Sequence, residues 1–219
     1  MKKAIIFGAS GFVGSHLLRE LLSSSDYAQV TAVVRRELGI SDPKLKTLIG
    51  DFVSLRSLEN ELSADEVFIA LGTTRKSSPD KRTYYEVDHD YPVLAARIAK
   101  ERGAKSVFLV TAVGADPNSR FSYVRTKGET ERDILALEFE HTHIFRPSMI
   151  MGARQEKRTL ERELIRLWSV INPLLVGGAD KYRGISGENI AKAMVVAARR
   201  QTQKVAIYEW REMNGLLRG

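Results

Sequence analysis

A tyrosine and a lysine stand four residues apart in the stretch FSYVRTKGETERDI, at Tyr123 and Lys127. Residues at this spacing share one face of an α-helix, and Ile134 and Leu137 continue that face with apolar side chains. Lys127 is therefore predicted to lie near the buried edge of the helix, where an ammonium group needs a polar partner. The alternative is a lysine that reaches solvent along its aliphatic stem, beside a surface tyrosine.

Such a pair could donate a proton to an oxygen that gains negative charge. An ordinary phenol has a pKa near ~10 and is a weak acid at neutral pH, but an adjacent positive charge favours the phenolate. Tyr123 is predicted to be the acid, and Lys127 the charge that activates it. Gly128 is a poor helix former, by about 1 kcal/mol against alanine, and it predicts that something approaches the helix closely there.

A glycine-rich turn near the start of the chain could hold a phosphate-containing ligand. The stretch FGASGFVGSHLLREL places three glycines directly after an apolar strand and at the start of an amphipathic helix. Such a turn lets the backbone approach a diphosphate, and the helix N-terminus supplies amide donors. The predicted cofactor-binding residues of this turn are Gly8, Ser10, Gly11, Phe12, Val13 and Gly14. The alternative is a tight turn without a ligand.

The second strand ends in VVRRE, where the type of nicotinamide cofactor is selected. A cofactor without a 2′-phosphate calls for an acidic residue here, whereas Arg35 and Arg36 can bind a 2′-phosphate through charge-assisted hydrogen bonds. The arginines favour NADP(H) over NAD(H), although Glu37 could still reach a ribose. Asp51 and Phe52, after the third strand, are predicted to hold the adenine ring. The alternative for Asp51 is a loop cap.

Short apolar segments alternate with helical ones along most of the chain. Strands are predicted in KKAIIFGAS, QVTAVVRR, LKTLIG, EVFIALGTT, KSVFLVTAVG and THIFRPSMI. Because they are apolar almost throughout, they predict an α/β fold of the Rossmann type, with a doubly wound parallel sheet covered on both faces. One domain is expected, with a cofactor-binding core at 1–150 and a small C-terminal cap on the substrate side at 151–219. The cap is predicted to hold a charged helix after Gly152 and a second helix with Ser186 as N-cap.

The amino-acid composition argues against several kinds of site and partner. The 219 residues include no cysteine, which excludes disulfides and thiolate chemistry and predicts a cytoplasmic location. No apolar run approaches the ~20 residues that span a bilayer, so no membrane partner is expected. The net charge of +7 would suit nucleic acid, but no nucleic-acid-binding motif accompanies it. His141 and His143 alternate along a strand without a third ligand at metal spacing, so no metal is predicted.

With the glycine turn, the motifs ALGTTR, VTAVGAD and YVRTKGETE resemble those of the short-chain dehydrogenase/reductases. The GxxGxxG spacing is similar to that of their atypical, extended-like branch. Within that branch the chain resembles the small NAD(P)-binding proteins related to the human Tat-interacting oxidoreductase. The resemblance extends from Lys3 to about Glu209.

The resemblance implies roles for further residues. Tyr123 and Lys127 match the YxxxK of the family, and Thr111 stands where the family usually has a serine, which implies that it orients the substrate oxygen. An asparagine that the family carries before the fifth strand is replaced here by Asp88. The other implied cofactor contacts, after the fourth strand and beside the nicotinamide, are Leu71, Gly72, Thr73, Pro147 and Ser148.

These residues together predict an NADP(H)-dependent oxidoreductase that reduces a carbonyl or quinone-like small molecule by hydride transfer. Tyr123 is its acid, and Lys127 also holds the ribose. The alternative is a protein that binds NADP(H) as a redox sensor or regulator without turnover, which Asp88 and a small cap favour. The substrate and the oligomeric state stay open.

Overall fold

A parallel sheet forms the centre of the computed structural model, which describes residues 1–73, 78, 80–152, 175 and 177–219. Its seven strands are β1 (Lys2–Phe7), β2 (Tyr27–Val34), β3 (Leu45–Ile49), β4 (Glu66–Ile69), β5 (Ser106–Val110), β6 (His141–Phe145) and β9 (Val205–Tyr208). They lie in the order β3-β2-β1-β4-β5-β6-β9. A separate parallel pair consists of β7 (Ile150–Met151) and β8 (Ile185–Ser186).

Helices cover both faces of the sheet. The α-helices are α1 (Phe12–Ser23), α2 (Lys81–Tyr85), α3 (Tyr91–Glu101), α4 (Ser122–Leu135), α5 (Gly187–Arg199) and α6 (Trp210–Arg218). A π-helical turn at Glu86–Asp90 joins α2 to α3, and 3-10 turns span Leu55–Glu61 and Gly177–Tyr182. α1, α5 and α6 lie over one face, and α3, α4 and the first 3-10 turn lie over the other.

Two apolar clusters, one on each face, explain why the strands are apolar throughout. Neighbouring residues of a strand point to opposite faces. Ile6 and Phe68 lie in the cluster under α1 and α5, whereas Ile5 and Val67 lie in the cluster under α3, and all four are fully buried. The predicted α/β fold of the Rossmann type, with a doubly wound parallel sheet, is confirmed.

The described part of the C-terminal segment differs from the predicted small cap. α5 buries Ile190 and Met194 against α1, and β9 adds the seventh strand beside β6. An apolar helix and a short strand bury more surface by joining existing layers than by covering one end of the sheet. Ser186 is the N-cap of α5, as predicted, because its Oγ accepts a hydrogen bond from the backbone N of Asn189 at 3.1 Å.

Two predicted elements are divided in the structure. THIFRPSMI forms β6 and then β7, because Pro147 has no N–H with which to continue the pairing of β6. The helix predicted to run up to about Arg102 consists of α2, the π-helical turn and α3. The charged helix predicted after Gly152 lies outside the described residues.

Gly128 marks the place where a loop crosses α4. A Cβ at this position would lie 2.2 Å from the carbonyl carbon of Asp116 and 2.2 Å from the nitrogen of Pro117. The backbone N of Asp116 also donates to the carbonyl of Val124 at 3.2 Å. The predicted close approach is therefore confirmed, and it comes from the protein's own backbone after β5. This crossing holds the start of α4 near the end of β5.

Gly128→Ala is expected to lower the free energy of unfolding by at least about 2 kcal/mol, because the crossing backbone cannot move aside as a side chain could. Gly215→Ala in α6 is the control: nothing lies within 4 Å of its Cβ position. Alanine there should be neutral or stabilising by up to about 1 kcal/mol. Urea denaturation measures both variants, and a Gly128→Ala protein as stable as wild type would contradict the crossing.

Candidate functional site

Backbone contacts shape the glycine turn between β1 and α1. Gly8 has a φ of +89°, which favours glycine, and a Cβ there would lie 2.5 Å from the carbonyl oxygen of Ala70. A Cβ on Gly14 would lie 1.9 Å from the carbonyl oxygen of Gly8. Gly11 is exposed, so it leaves the N-terminus of α1 open. The amides of this first turn can therefore bind an anion.

The other predicted residues of the turn have different surroundings. Val13 is buried. The Phe12 ring packs on the backbone at Gly152 and Gly187, where a Cβ would lie 2.4 Å and 2.9 Å from it. Ser10 is exposed and can present its hydroxyl to a ligand. The side chains of Phe12 and Val13 therefore fix the turn in place, and only their backbone is available to a cofactor.

The residues predicted to select the cofactor follow β2 and β3. Arg35, Arg36 and Glu37 are exposed. Asp51 Oδ1 accepts hydrogen bonds from the backbone N and the Oγ of Ser54, both at 2.9 Å. These bonds hold the pKa of the Asp51 carboxyl below its usual value. The loop-cap alternative thus describes Asp51 in the structure, and its contact with adenine stays a prediction.

Phe52 stacks on Tyr91, the first residue of α3, with ring centroids 3.9 Å apart and an angle of 15° between the planes. Burial raises the pKa of Tyr91, the carboxylates of Glu86 and Asp51 raise it further, and Arg35 lowers it. Sequence reasoning missed Tyr91, because its contact joins segments that are far apart in the chain.

Lys127 is buried beside a charged partner, as the helix face predicted. The residue is 5% exposed, and its Nζ lies 2.5 Å from Oδ1 of Asp88, which is 1% exposed. Asp88 Oδ2 accepts a hydrogen bond from the backbone N of Thr73 at 2.9 Å, in the turn after β4. The contact with Lys127 lacks hydrogen-bond geometry, so Asp88 Oδ1 has no hydrogen-bond partner within the described part of the chain. A ligand hydroxyl that approached this pair could bond to both the carboxylate and the ammonium group.

The turn after β4 lies directly over this ion pair. A Cβ on Gly72 would be 3.8 Å from Asp88 Oδ1 and 3.8 Å from Lys127 Nζ. Gly72 is exposed, and Leu71 and Thr73 are partly buried. Residues 71–73, which are predicted to contact the cofactor, therefore lie close to Lys127. They follow Ala70, the residue after β4 that the Gly8 turn contacts.

Tyr123 lies one helical turn before Lys127, and 46% of its surface is exposed. Protein atoms around the phenol still raise its pKa by removing water, and the negative charge of Asp88 raises it further. The structure without a cofactor therefore gives this pKa a shift opposite to the one predicted from Lys127. Tyr123 is accordingly protonated at neutral pH.

Thr111, which follows β5, is hydrogen-bonded within the protein. Its Oγ1 donates to Oε1 of Glu131 at 2.6 Å, and both residues are buried. Glu131 binds Arg146 through two further bonds, Nε to Oε1 at 3.0 Å and Nη2 to Oε2 at 2.5 Å. The single hydroxyl proton of Thr111 is thus used inside the protein. In the structure this hydroxyl is hydrogen-bonded within the protein, and a contact between Thr111 and a substrate oxygen stays a prediction.

Sequence reasoning missed Glu131 and Arg146, which tie α4 to the ends of β5 and β6. Glu131 follows Lys127 by one turn on the buried face of α4, and Arg146 is the last residue before Pro147. The signal was present in the sequence, because a carboxylate on a buried helix face needs a cation or several donors. The sequence does not show which residue is the partner of Glu131.

Pro147 and Ser148 lie at the same edge of the sheet. The buried Pro147 accepts a hydrogen bond on its carbonyl from the backbone N of Val113, at 2.9 Å. Ser148 is partly exposed. This bond joins the segments that follow β5 and β6, and it keeps both beside the start of α4.

The histidines of β6 have partners within the protein. Nδ1 of His141 lies 2.9 Å from the carbonyl oxygen of Gln203, and Nδ1 of His143 lies 2.9 Å from the Tyr208 hydroxyl. Burial lowers the pKa of His143 to about 4, so this ring is neutral at pH 7. In the described ranges, no group of three or more His, Cys, Asp or Glu side chains could hold a metal. No helix in these ranges is long and apolar enough to cross a bilayer.

Comparison with known proteins connects these features to a family. A family profile described as NAD(P)H-binding matches residues 8–166. The chain is 38% identical over 204 residues to "Protein fmp52, mitochondrial" of Aspergillus fumigatus, covering 90% of this chain and 87% of the relative. It is 36% identical over 157 residues to "Protein FMP52, mitochondrial" of Saccharomyces cerevisiae, covering 70% of this chain and 68% of the relative.

Among solved structures, the fold is similar to that of "MoeE5 in complex with UDP-glucuronic acid and NAD". The TM-score is 0.71 at 22% sequence identity, covering 94% of this chain and 75% of that chain. At this identity the likeness shows the fold alone. The relatives' names contradict the predicted cytoplasmic location, since both relatives are named as mitochondrial proteins. That prediction is wrong because a lack of cysteine does not distinguish one reducing compartment from another.

Thr111→Val is expected to lower the free energy of unfolding by about 1–3 kcal/mol, because it removes a donor from a buried oxygen of Glu131. Thr111→Ser keeps the hydroxyl and is the matched control, with a smaller loss. Urea denaturation without any cofactor measures both variants. A Thr111→Val protein that unfolds at the wild-type urea concentration would show that this hydroxyl does not anchor α4.

Proposed function

The chain belongs to the NAD(P)H-binding family and to the family of the FMP52 proteins, and on that basis we propose that it is an NADP(H)-dependent oxidoreductase. It reduces a carbonyl or quinone-like small molecule by hydride transfer and is of the short-chain dehydrogenase/reductase type. The motifs ALGTTR, VTAVGAD and YVRTKGETE support a place near the Tat-interacting oxidoreductase within that type. The observation that carries the proposal is the buried Lys127–Asp88 pair beneath the turn after β4.

The residues of the glycine turn fit a dinucleotide. Gly11 leaves the N-terminus of α1 open to a diphosphate, while Gly8 and Gly14 keep the turn tight. The order of the strands reverses between β1 and β4, and open α/β sheets bind ligands at such a point. When bound, the nicotinamide ring carries the hydride.

The chain's own residues bind the ribose and supply the proton. Lys127 donates to a ribose hydroxyl, and Asp88 Oδ1, which lacks a hydrogen-bond partner in the described structure, accepts from one. Residues 71–73 and 147–148 would flank the nicotinamide ring. Tyr123 would donate the proton, since a phenol is protonated at neutral pH.

Arg35 and Arg36 support NADP(H) over NAD(H). Both are exposed directly after β2, where the 2′-position of the adenosine ribose is expected. Their guanidinium groups match the geometry of a phosphate. Phe52 and Tyr91 form an aromatic wall near Arg35 for the adenine.

A second candidate is a protein that binds NADP(H) as a redox sensor or regulator without turnover. The raised pKa of Tyr123 favours it, because a phenol that holds its proton more tightly is a weaker acid. The engagement of Thr111 by Glu131 favours it too, since the substrate oxygen then lacks that donor. For the enzyme, the proposed partner is a small-molecule substrate rather than nucleic acid or a membrane.

NADPH is expected to raise the melting temperature more than NADH at equal concentration, because a ligand bound only to the native state stabilises it by mass action. Arg35→Gln/Arg36→Gln should remove this difference while the NADH effect stays. Arg97→Gln, an exposed arginine of α3, is the control. If neither nucleotide shifts the melting temperature, the cofactor proposal is wrong; an equal shift refutes only the preference for NADP(H).

Tyr123→Phe is expected to abolish NADPH oxidation with every member of a carbonyl and quinone panel that wild type reduces. It should retain the melting shift with NADPH, because the phenyl ring keeps the packing and loses only the hydroxyl. Absorbance of NADPH measures turnover, and thermal denaturation measures binding. Turnover by Tyr123→Phe at the wild-type rate would rule out the acid role. If wild type binds NADPH and reduces no member of the panel, the sensor candidate is favoured.

A further inference from the structure

His89 lies between two carboxylates that belong to different elements. It follows Asp88 directly in the π-helical turn, and the residue is 8% exposed. Its Nδ1 lies 2.7 Å from Oδ1 of Asp90, in the same turn, and its Nε2 lies 2.9 Å from Oδ2 of Asp133, in the last turn of α4. The ring therefore connects the turn that carries Asp88 to the helix that carries Lys127.

The two contacts determine how many protons the ring holds. An ionised carboxylate accepts hydrogen bonds and donates none, and a neutral imidazole has only one N–H. Arg132 Nε donates to the other oxygen of Asp133 at 2.7 Å. This bond holds the pKa of the Asp133 carboxyl below its usual value, against the opposing effect of burial, and the contact with His89 lowers it further. Both ring nitrogens can donate to carboxylates only if His89 is an imidazolium.

The other charged groups around the ring have partners of their own. The Tyr85 ring of α2 stacks on His89 with ring centroids 4.6 Å apart, and its hydroxyl is hydrogen-bonded to Glu129 of α4. Glu86, at the start of the π-helical turn, pairs with Arg82 of α2 at 3.0 Å. Among the described residues, the carboxylates that contact the ring directly are therefore the two at its nitrogens.

Asp88 depends on the π-helical turn for its position. Its backbone carbonyl accepts a hydrogen bond from the Thr130 hydroxyl of α4, and its Oδ2 accepts one from the backbone N of Thr73, both at 2.9 Å. Its Oδ1 lies 2.5 Å from Lys127 Nζ. In the described residues, two ion pairs join this turn to α4: the Lys127–Asp88 pair and the contact of His89 with Asp133. The second pair thus holds the turn beside the first.

We propose that His89 is a positioning residue, which as an imidazolium holds the π-helical turn against α4 and so keeps Asp88 beside Lys127. That this pair then binds a nicotinamide ribose rests on the proposed function. Because the bridge uses the protonated ring, the folded chain keeps a proton that the unfolded chain releases as the pH rises. The stability that the bridge contributes is therefore present at low pH and is lost as the pH increases.

Urea denaturation over about pH 5.5–8 tests the bridge, because a histidine changes charge in this range while ordinary carboxylates stay ionised. His89→Gln replaces the ring with a polar side chain that does not titrate. The urea midpoint of wild type is expected to exceed that of His89→Gln most at the acidic end, and this difference should shrink as the pH rises. His141→Gln is the matched control and should retain the wild-type pH dependence, because His141 contacts a backbone carbonyl and can do so as a neutral ring.

Hydrogen exchange at the backbone N–H of Thr73 tests the positioning role without any cofactor, because this group donates to Asp88 Oδ2. In His89→Gln its protection is expected to fall several-fold relative to the amides of β4. In His141→Gln the protection should stay at the wild-type level. A merely structural role for His89 would lower the protection of Thr73 and of β4 alike, and would contradict the proposal.

A difference in urea midpoint between wild type and His89→Gln that is the same across the pH range would overturn the proposal. If His89→Gln does not fold, side-chain NMR of wild type decides, with the His89 ring identified by its contact with Tyr85. Both of its nitrogens must carry protons at about pH 7, where an ordinary histidine is mostly neutral. Failure of the proposed function is recognised separately, as the absence of any melting shift with NADPH in wild type.

Discussion

A lysine ammonium taken out of water needs a negative partner, and this requirement organises the part of the molecule around α4. Lys127 meets it with Asp88, which is held by the turn after β4. One turn further along α4, Glu131 has the opposite charge and meets the same requirement with Arg146 at the end of β6. Two buried ion pairs thus fix one helix to three other segments, and breaking either pair would leave an uncompensated buried charge. The position of Tyr123 follows from them.

The cofactor side depends on contacts between backbones instead of charges. The Gly8 turn lies against Ala70, just beyond the end of β4, and the same strand leads into the turn that covers the Lys127–Asp88 pair. β4 therefore connects the glycine turn, where we propose that the diphosphate binds, to the Lys127–Asp88 pair, where we propose that the reactive ring lies. Because β4 is short, the glycine turn and the Lys127–Asp88 pair are held at a fixed distance from each other.

Much of the fold and part of the candidate site could be predicted from the sequence. The features that could not be predicted all depend on contacts between distant segments. The apolar strands, the glycine turn, the burial of Lys127 and the close approach at Gly128 all follow from local pattern and residue type. The Asp88 and Glu131 contacts depend on which distant segment lies opposite, and local pattern carries no such information. The upward shift of the Tyr123 pKa depends on burial and on Asp88, neither of which the local pattern around Tyr123 shows. A single short strand, Val205–Tyr208, likewise does not reveal from its sequence that it joins the sheet.

The most direct measurement is a crystal structure of the protein with NADP⁺ bound. We expect the diphosphate at the N-terminus of α1, and a ribose hydroxyl within hydrogen-bonding distance of Asp88 Oδ1 and Lys127 Nζ, with the nicotinamide ring beside Tyr123. A dinucleotide bound elsewhere would contradict the account. So would one bound at the glycine turn with its nicotinamide ribose away from the Lys127–Asp88 pair.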